Sequence, residues 1–165
     1  MSVVAAAESL TEARAFREAL GRFATGVAFV TAAPDGAPAG LIVNSFTSVS
    51  LEPPLVAFCP ARSSLTWQRM RRARRFGVNV LERGHESFAL RATPAGADRF
   101  AGIDWELGPG GAPLLTTALA TFECEIVAEH AAGDHWIVVG LVDRLRTRRL
   151  GRPLIFVDGA FGTVR

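Results

Sequence analysis

The hydrophobic positions near the N-terminus predict a single amphipathic helix. Ser9 and Glu12 have the spacing of a capping box, in which each side chain binds the backbone of the other residue. The pattern predicts that this helix ends near Gly26. The apolar residues that recur at helical spacing on one of its faces are Ala13, Phe16, Leu20 and Phe23.

Beyond this helix, apolar runs separated by turn signals predict strands. Residues 27–32 and 40–46 flank the turn signal Pro34-Asp35-Gly36, which predicts a hairpin. Residues 55–58, which follow two prolines, and residues 76–81, in which Phe and Val alternate with other residues, also have the composition of strands.

The second half of the chain adds a short helix and a long hairpin. Ser63 or Ser64 can cap a short helix, and residues 85–105 are irregular and partly helical. The further segments typical of strands are residues 121–129, 136–145 and 154–157. Six or so strands with few helices predict a mainly β protein, an antiparallel barrel with a few peripheral helices, because closure of a barrel removes exposed sheet edges.

Length and composition indicate one domain. The 165 residues are 49% hydrophobic, enough for a substantial core. We assign residues 1–10 to a flexible N-terminal segment and residues 11–165 to the domain. The mean hydropathy of +0.24 is high, yet no run approaches the roughly eighteen apolar residues of a membrane span, so we expect no membrane association and instead a homodimer interface. The first ten residues lack the features of a secretory signal, which favours a cytoplasmic location.

Charge and cysteine content exclude several classes of protein. Cys59 and Cys124 are too few for a disulfide framework and lack the spacing of a zinc site, so both are predicted to be reduced, packed thiols. Eighteen basic residues, all arginine, nearly balance sixteen acids, and the net charge of +2 does not indicate a nucleic-acid partner. Two arginine-rich runs, at residues 69–75 and 144–152, are predicted to be solvated and to form salt bridges.

Common catalytic motifs are absent from the sequence. It contains no G-x-S-x-G, no phosphate loop ending in Gly-Lys-Ser/Thr and no G-x-G-x-x-G, which argues against a doubly wound nucleotide-binding fold. The histidines, His85, His130 and His135, do not have the spacing of a metal site. No metal ligand is therefore predicted.

Three polar segments remain as candidates for a binding site. Residues 44–50 place amide, hydroxyl and backbone groups at the exit of a strand, where they can bind a polar ring edge or a phosphate, although such residues are also common turn formers. Residues 59–64 combine a helix start, a guanidinium and two hydroxyls, typical of a phosphate pocket or of an ordinary N-cap. In Gly133-Asp134-His135, at a hairpin tip, the histidine can donate to a ligand or can be a plain surface residue.

The order of these segments resembles the flavin reductase family with the split-barrel FMN-binding fold. The resemblance spans about residues 16–161, and its most specific part is the combination of NSFTSVSLEPPLV with the later GDH. It implies an FMN-binding split barrel. The segments that carry it are GVAFVT (26–31), NSFTSVSLEPPLV (44–56), FGVNVL (76–81), FAGIDW (100–105), GDH (133–135) and PLIF (153–156).

The resemblance also implies a role for each candidate residue. Asn44, Ser45 and Phe46 would lie along the isoalloxazine ring, and Ser50 would lie near the flavin tail. The residues that would hold the flavin phosphate, largely through backbone groups and a serine hydroxyl, are Cys59, Arg62, Ser63 and Ser64. Those that would complete the flavin surroundings less directly are Asn79 and Phe100. The candidate catalytic residue is His135, which with Gly133 and Asp134 would lie where the nicotinamide docks.

The implied activity is hydride transfer from NADH or NADPH to FMN or FAD. Reduced flavin would then diffuse to a partner flavin-dependent monooxygenase. Family members commonly carry Thr in place of Ile42, so the choice between FMN and FAD stays open, as does the choice of nicotinamide. Two alternatives are a flavin-binding electron carrier or storage protein without nicotinamide turnover and, less favoured, an arginine-rich nucleic-acid-binding module.

Overall fold

The computed structural model of the chain describes the backbone of residues 3–164 and the side chains of residues 12–164. The helices are α1 (Val3–Gly21), α2 (Leu65–Met70) and α3 (Glu86–Ala92). The strands are β1 (Thr25–Gly26), β2 (Ala28–Ala32), β3 (Ala39–Val43), β4 (Thr47–Leu51), β5 (Pro54–Phe58), β6 (Arg75–Val80), β7 (Trp105–Leu107), β8 (Pro113–Leu115), β9 (Ala120–Ala132), β10 (His135–Thr147), β11 (Leu154–Val157) and β12 (Ala160–Thr163).

Seven of these strands form one antiparallel sheet, in the order β3-β2-β6-β9-β10-β5-β4. A second sheet, β1-β11-β12, is joined to it by backbone hydrogen bonds from Val27 N to Leu154 O and from Leu81 N to Val27 O. A two-stranded sheet, β7-β8, covers part of one face. The predicted architecture, mainly β and antiparallel with a few peripheral helices, is confirmed.

Both faces of the central strands are buried, which produces two core clusters. In β2, Ala28, Val30 and Ala32 pack into a cluster with Phe58, Trp67 and Phe76, whereas Phe29 points to the opposite face. There it packs with Phe88, Leu115 and Leu154. Successive residues of a strand point to opposite faces, so one short strand serves both clusters.

The sequence located several of these elements closely. The hairpin of β2 and β3, the strand β11, the long hairpin of β9 and β10 and the cap of α2 by Ser64 are all confirmed. Cys59 and Cys124 are free thiols, and burial raises the pKa of Cys124 to about 12. Six arginines of the two basic runs form the predicted salt bridges, namely Arg71, Arg72, Arg75, Arg144, Arg146 and Arg148.

Other expectations were wrong in position or number. The first helix ends at Gly21, five residues earlier than predicted. It also includes residues 3–10, which were assigned to a segment before the domain. The flexibility of residues 1–10 stays a prediction. The polar run at residues 47–50 belongs to a strand, because β4 is the edge of the large sheet and needs no apolar side chains on its outer side. The short strands β1, β7, β8 and β12 were not predicted at all.

None of the helices within residues 3–164 has the combination of length and apolar character required to cross a bilayer.

His85 is a buried histidine that links its own turn, residues 82–85, to Thr117. Its Nδ1 accepts from Glu82 N at 3.2 Å, so the neutral ring carries its hydrogen on Nε2, which donates to Thr117 Oγ1 at 2.8 Å. Burial is the main reason why its pKa lies below the usual 6.5. The nearby Glu82 raises this pKa and Arg148 lowers it.

This lowered pKa predicts a loss of stability in acid. The unfolded chain takes up the proton near pH 6.5 and the folded protein only at lower pH, so the free energy of unfolding falls as the pH drops below about 6.5. Urea unfolding of the wild type and of His85→Gln at pH 7.5 and 5.5 measures the effect. We expect the wild type to lose more stability than the variant over this interval; an equal loss in both proteins would contradict the prediction.

Candidate functional site

A groove of about 780 Å³ runs between α1 and the loop that joins β3 to β4. Leu20 and Phe23 form one wall, residues 44–47 form the other, and Phe156 of β11 also lines it. Its volume lies within the roughly 300–1,000 Å³ of small-molecule sites, and its combination of aromatic and amide or hydroxyl groups is typical of them. Arg17 of α1 supplies a positive charge at the same groove.

The loop of residues 44–46 connects this groove to the residues after β5. Ser45 Oγ accepts a hydrogen bond from Cys59 N at 2.9 Å. The Phe46 ring packs against Phe122, with 5.7 Å between the ring centroids. Burial raises the pKa of the half-buried Cys59 thiol, which favours its neutral form near pH 7.

The loop after β5 in turn contacts the tip of the β9–β10 hairpin. Arg62 N donates to Asp134 O at 2.8 Å, and Arg62 Nη1 donates to Gly133 O at 3.2 Å. Gly133 has a φ of 60°, a left-handed conformation that glycine adopts without strain, so the two long strands reverse direction here. The three candidate segments of the sequence are thus joined by a continuous path of contacts.

At this tip, His135 and Asp134 form a solvent-facing pair. His135 Nδ1 lies 2.7 Å from Asp134 Oδ1, and the imidazole is 45% exposed. The hydrogen bond from His135, with smaller contributions that include the charge of Arg17, holds the pKa of Asp134 below its usual range. The carboxylate therefore orients one nitrogen of the imidazole and leaves the other ring nitrogen for a ligand.

A second groove, of about 360 Å³, lies between α2, the start of β3 and residues 96–100. It contains two guanidinium groups, those of Arg69 and Arg99. Arg69 donates to Ala37 O, and Arg99 donates to Ala92 O and to Thr66 Oγ1. Among the described side chains, no carboxylate forms an ion pair with either arginine. Burial lowers the pKa of Arg99.

The remaining predicted residues have different positions. Ser63 and Ser64 end the loop after β5, and Ser64 Oγ accepts from Trp67 N as the cap of α2. Phe100 lines the second groove and packs on Phe29 at 5.2 Å. Of the predicted residues, only Asn44, Ser45 and Phe46 line the first groove and only Phe100 lines the second. The predicted residues of the segments 59–64 and 133–135 line neither groove and are linked to the first by the hydrogen bonds described above. Ser50 and Asn79 are apart from both the grooves and this path. Ser50 pairs with Leu55 in the edge strand β4, and Asn79 is fully buried.

Several residues at these sites were not predicted from the sequence. Arg17 and Phe23 line the first groove, but the helical pattern treated α1 only as a packing element. Trp136 lies at the hairpin tip beneath Arg62 and Arg71 and was seen only as the start of a strand. An aromatic residue directly after Gly-Asp-His was a usable signal, since tryptophan frequently binds cations.

Comparison with known proteins identifies the family. The sequence profile of the flavin reductase-like domain matches residues 20–165. The chain is 44% identical over 156 residues to the reductase subunit HsaB of a flavin-dependent monooxygenase from Rhodococcus jostii (strain RHA1), covering 94% of this chain and 80% of that protein. It is 46% identical to the FMN reductase (NADH) SmoA of Agrobacterium fabrum (strain C58 / ATCC 33970), with coverage of 90% and 84%.

A solved structure agrees with these relatives. The NADH:FAD oxidoreductase SgcE6 of Streptomyces globisporus C-1027, in complex with NAD and FAD fragments, superimposes with a TM-score of 0.86. It is 38% identical in sequence, and the match covers 91% of each chain. The predicted fold class, a split barrel, is thereby confirmed. With a family profile that matches most of its length and relatives above 40% identity, this chain belongs to the flavin reductase-like family.

Proposed function

We propose that this protein is an NAD(P)H-dependent flavin reductase that passes a hydride from a reduced nicotinamide to FMN or FAD. The observation that carries the proposal is the path of contacts from the groove at residues 44–47, through Cys59 and Arg62, to His135. It links a cavity that fits a planar ring to a histidine that can receive a second ligand. Both relatives whose names specify a nicotinamide use NADH, so we propose NADH as the donor.

The residues of the first groove fit a flavin. Phe46, Phe156 and Leu20 offer apolar surface for an aromatic ring, while Asn44 and Ser45 offer polar groups for its edge. Phosphate groups of the flavin would lie near residues 59–64. The second groove extends the available positive charge, because Arg69 and Arg99 have no carboxylate partner among the described side chains.

The protein's task in this reaction is to hold two ligands in reach of one another. Flavin and nicotinamide together supply the hydride chemistry. His135, whose Nδ1–H donates to Asp134, would accept a hydrogen bond at Nε2 from the amide group of the nicotinamide and hold it over the flavin. Half-exposed residues at an open groove allow both ligands to enter and leave, as a reductase that releases reduced flavin requires.

Absorbance at 340 nm tests the proposal directly. Purified protein is mixed with NADH or NADPH and with FMN, FAD or riboflavin in turn. We expect oxidation of the nicotinamide that depends on added flavin, and the rates rank the cofactors. Flavin binding without turnover by any pair would instead support the alternative, a flavin-binding electron carrier or storage protein.

His135→Ala is expected to raise the KM for the nicotinamide about tenfold with little change in flavin affinity, because one ligand hydrogen bond is worth about 1.4 kcal/mol or less. His130→Ala is the matched control, since His130 is exposed on β9 near the same hairpin tip. Steady-state kinetics with varied NADH and a flavin titration separate the two effects. Weaker flavin binding at an unchanged nicotinamide KM would reject the role given to His135.

We further propose that the protein is a homodimer. Three apolar side chains, Phe16 and Leu20 on α1 and Phe23 two residues after it, are 65%, 56% and 74% exposed. An apolar stripe of this kind on a helix marks an interaction surface. Light scattering after gel filtration measures the mass. We expect a dimer for the wild type and for the control Leu150→Glu, and a larger monomer fraction for Phe16→Glu; a monomeric wild type would refute the proposal.

Two further parts of the proposal concern the setting of the enzyme. HsaB is the reductase subunit of a flavin-dependent monooxygenase, and we propose that a partner monooxygenase receives the reduced flavin made by this chain. We also propose a cytoplasmic location, which is consistent with two cysteines that remain free thiols. Oxygenase activity reconstituted with this reductase across a dialysis membrane tests transfer by diffusion.

A further inference from the structure

Trp136 lies where the loop after β5 meets the hairpin tip. Its backbone N donates to Pro60 O at 2.9 Å, and the neighbouring His135 forms an isolated β-bridge with Ala61. Arg62 closes the same junction through its bonds to Gly133 and Asp134. The segment proposed to hold the flavin phosphate and the segment that carries His135 are therefore fastened together along their backbones.

Two arginines hold the Trp136 ring. The guanidinium carbon of Arg62 lies 5.5 Å from the ring centroid and that of Arg71 lies 5.0 Å away, both within the range of cation–π attraction. Arg62 belongs to the loop after β5, whereas Arg71 follows directly after α2. The ring thus links the loop after β5, the end of α2 and the hairpin tip.

Arg71 is itself fixed to the hairpin. Its guanidinium lies 2.8 Å from Glu129 Oε2, and the two side chains are 35% and 16% exposed. Glu129 pairs with Val138 in the β9–β10 ladder, a few residues from the tip. A partly buried ion pair of this kind is harder to displace than a solvated one, so the end of α2 and the hairpin tip are coupled in position.

We propose that Trp136 is a positioning residue that couples occupation of the flavin phosphate loop to nicotinamide binding at His135. The inference rests on the proposed function and adds communication between its two ligand sites. When the flavin tail orders residues 59–64, Arg62 and Trp136 hold the hairpin tip in the conformation that receives the nicotinamide. By linkage, bound nicotinamide tightens the flavin tail to the same degree.

Lumiflavin and FMN distinguish this coupling from direct stacking of the two rings. Lumiflavin has the same ring system as FMN but lacks the ribityl phosphate, so it can stack on a nicotinamide without contacting residues 59–64. Calorimetry measures the Kd of NAD⁺ alone, with saturating FMN and with saturating lumiflavin. NAD⁺ transfers no hydride to an oxidised flavin, so the measurement reports binding only. In the wild type we expect FMN to tighten NAD⁺ binding at least about fivefold more than lumiflavin does.

Substitutions of Trp136 and of Arg71 test whether the coupling passes through the contact between these two side chains. In Trp136→Leu and in Arg71→Gln we expect FMN and lumiflavin to affect NAD⁺ binding equally. Arg72→Gln is the matched control: Arg72 neighbours Arg71 in sequence but pairs with Asp35, and it should retain the wild-type difference. If Trp136→Leu fails to fold, Arg71→Gln alone decides the question, since it leaves the apolar ring in place.

The outcomes separate this inference from the proposed function. A wild type that oxidises NADH with added flavin, but whose NAD⁺ affinity responds equally to FMN and lumiflavin, overturns the coupling and leaves the reductase intact. An unchanged difference in Arg71→Gln, or the same loss in Arg72→Gln, also overturns it. A wild type that binds flavin without NADH oxidation or NAD⁺ binding overturns the proposed function itself.

Discussion

Asn79→Leu should lower the free energy of unfolding by about 2–3 kcal/mol, although leucine has the same branched skeleton of heavy atoms. Asn79 is fully buried on β6. Its amide nitrogen donates to Phe29 O at 3.0 Å, and its oxygen accepts from Leu115 N at 2.7 Å. Leucine can do neither, and water does not reach these groups. The loss comes from buried backbone atoms deprived of a partner rather than from a cavity.

Urea unfolding followed by tryptophan fluorescence measures this effect. Asn44→Leu is the matched control, because Asn44 is the other asparagine of the chain and its side chain is exposed. We expect the control to differ from the wild type by less than about 0.5 kcal/mol. Equal stabilities of the two variants would show that the hydrogen bonds of Asn79 do not stabilise the fold. They would also reopen the possibility that Asn79 serves the cofactor.

Gly140→Ala should destabilise the protein by about 1–3 kcal/mol, the usual cost of overpacking a core. A methyl group built on Gly140 lies only 2.4 Å from the Phe76 ring and 3.0 Å from Cys124 Cβ. Phe76 is 1% exposed and packs on Phe58 with 5.2 Å between ring centroids, so the ring has no empty space to enter. Some of the core around β6 must move to admit the methyl group.

Gly162→Ala provides the comparison for this substitution. Gly162 also lies in a strand, but a methyl group there meets Ile155 at 3.6 Å, an ordinary contact distance. Thermal and urea unfolding of both variants separate crowding from the general effect of replacing glycine in a strand. The explanation fails if Gly140→Ala is as stable as Gly162→Ala.

Local signals predicted the elements that local chemistry controls. The turn at residues 34–36 needs left-handed backbone, which Asp35 and Gly36 adopt with φ of 57° and 75°, so its hairpin was visible in the sequence. Ser64 caps α2 through a bond within its own turn. The edge strand β4 was missed because its side chains are mostly exposed, and its assignment depends on pairing with β5.

The candidate site shows the same division between local and long-range information. Residues 44–46, 59–64 and 133–135 were selected from residue types and from the resemblance, and the structure joins all three segments. Asn79 lies in one of the quoted motifs too, but its side chain points into the core. The direction of a strand side chain depends on which face the neighbouring sheets cover, and sequence alone does not state this.

By itself, the sequence determined the antiparallel β architecture, the family and the three polar segments of the site, because turns, caps and alternation act over a few residues. The tertiary structure decided how those segments meet. It placed Trp136 beneath two arginines from distant parts of the chain, buried Asn79 and left the apolar face of α1 uncovered. These facts depend on contacts between residues far apart in sequence, which form only when the sheets pack.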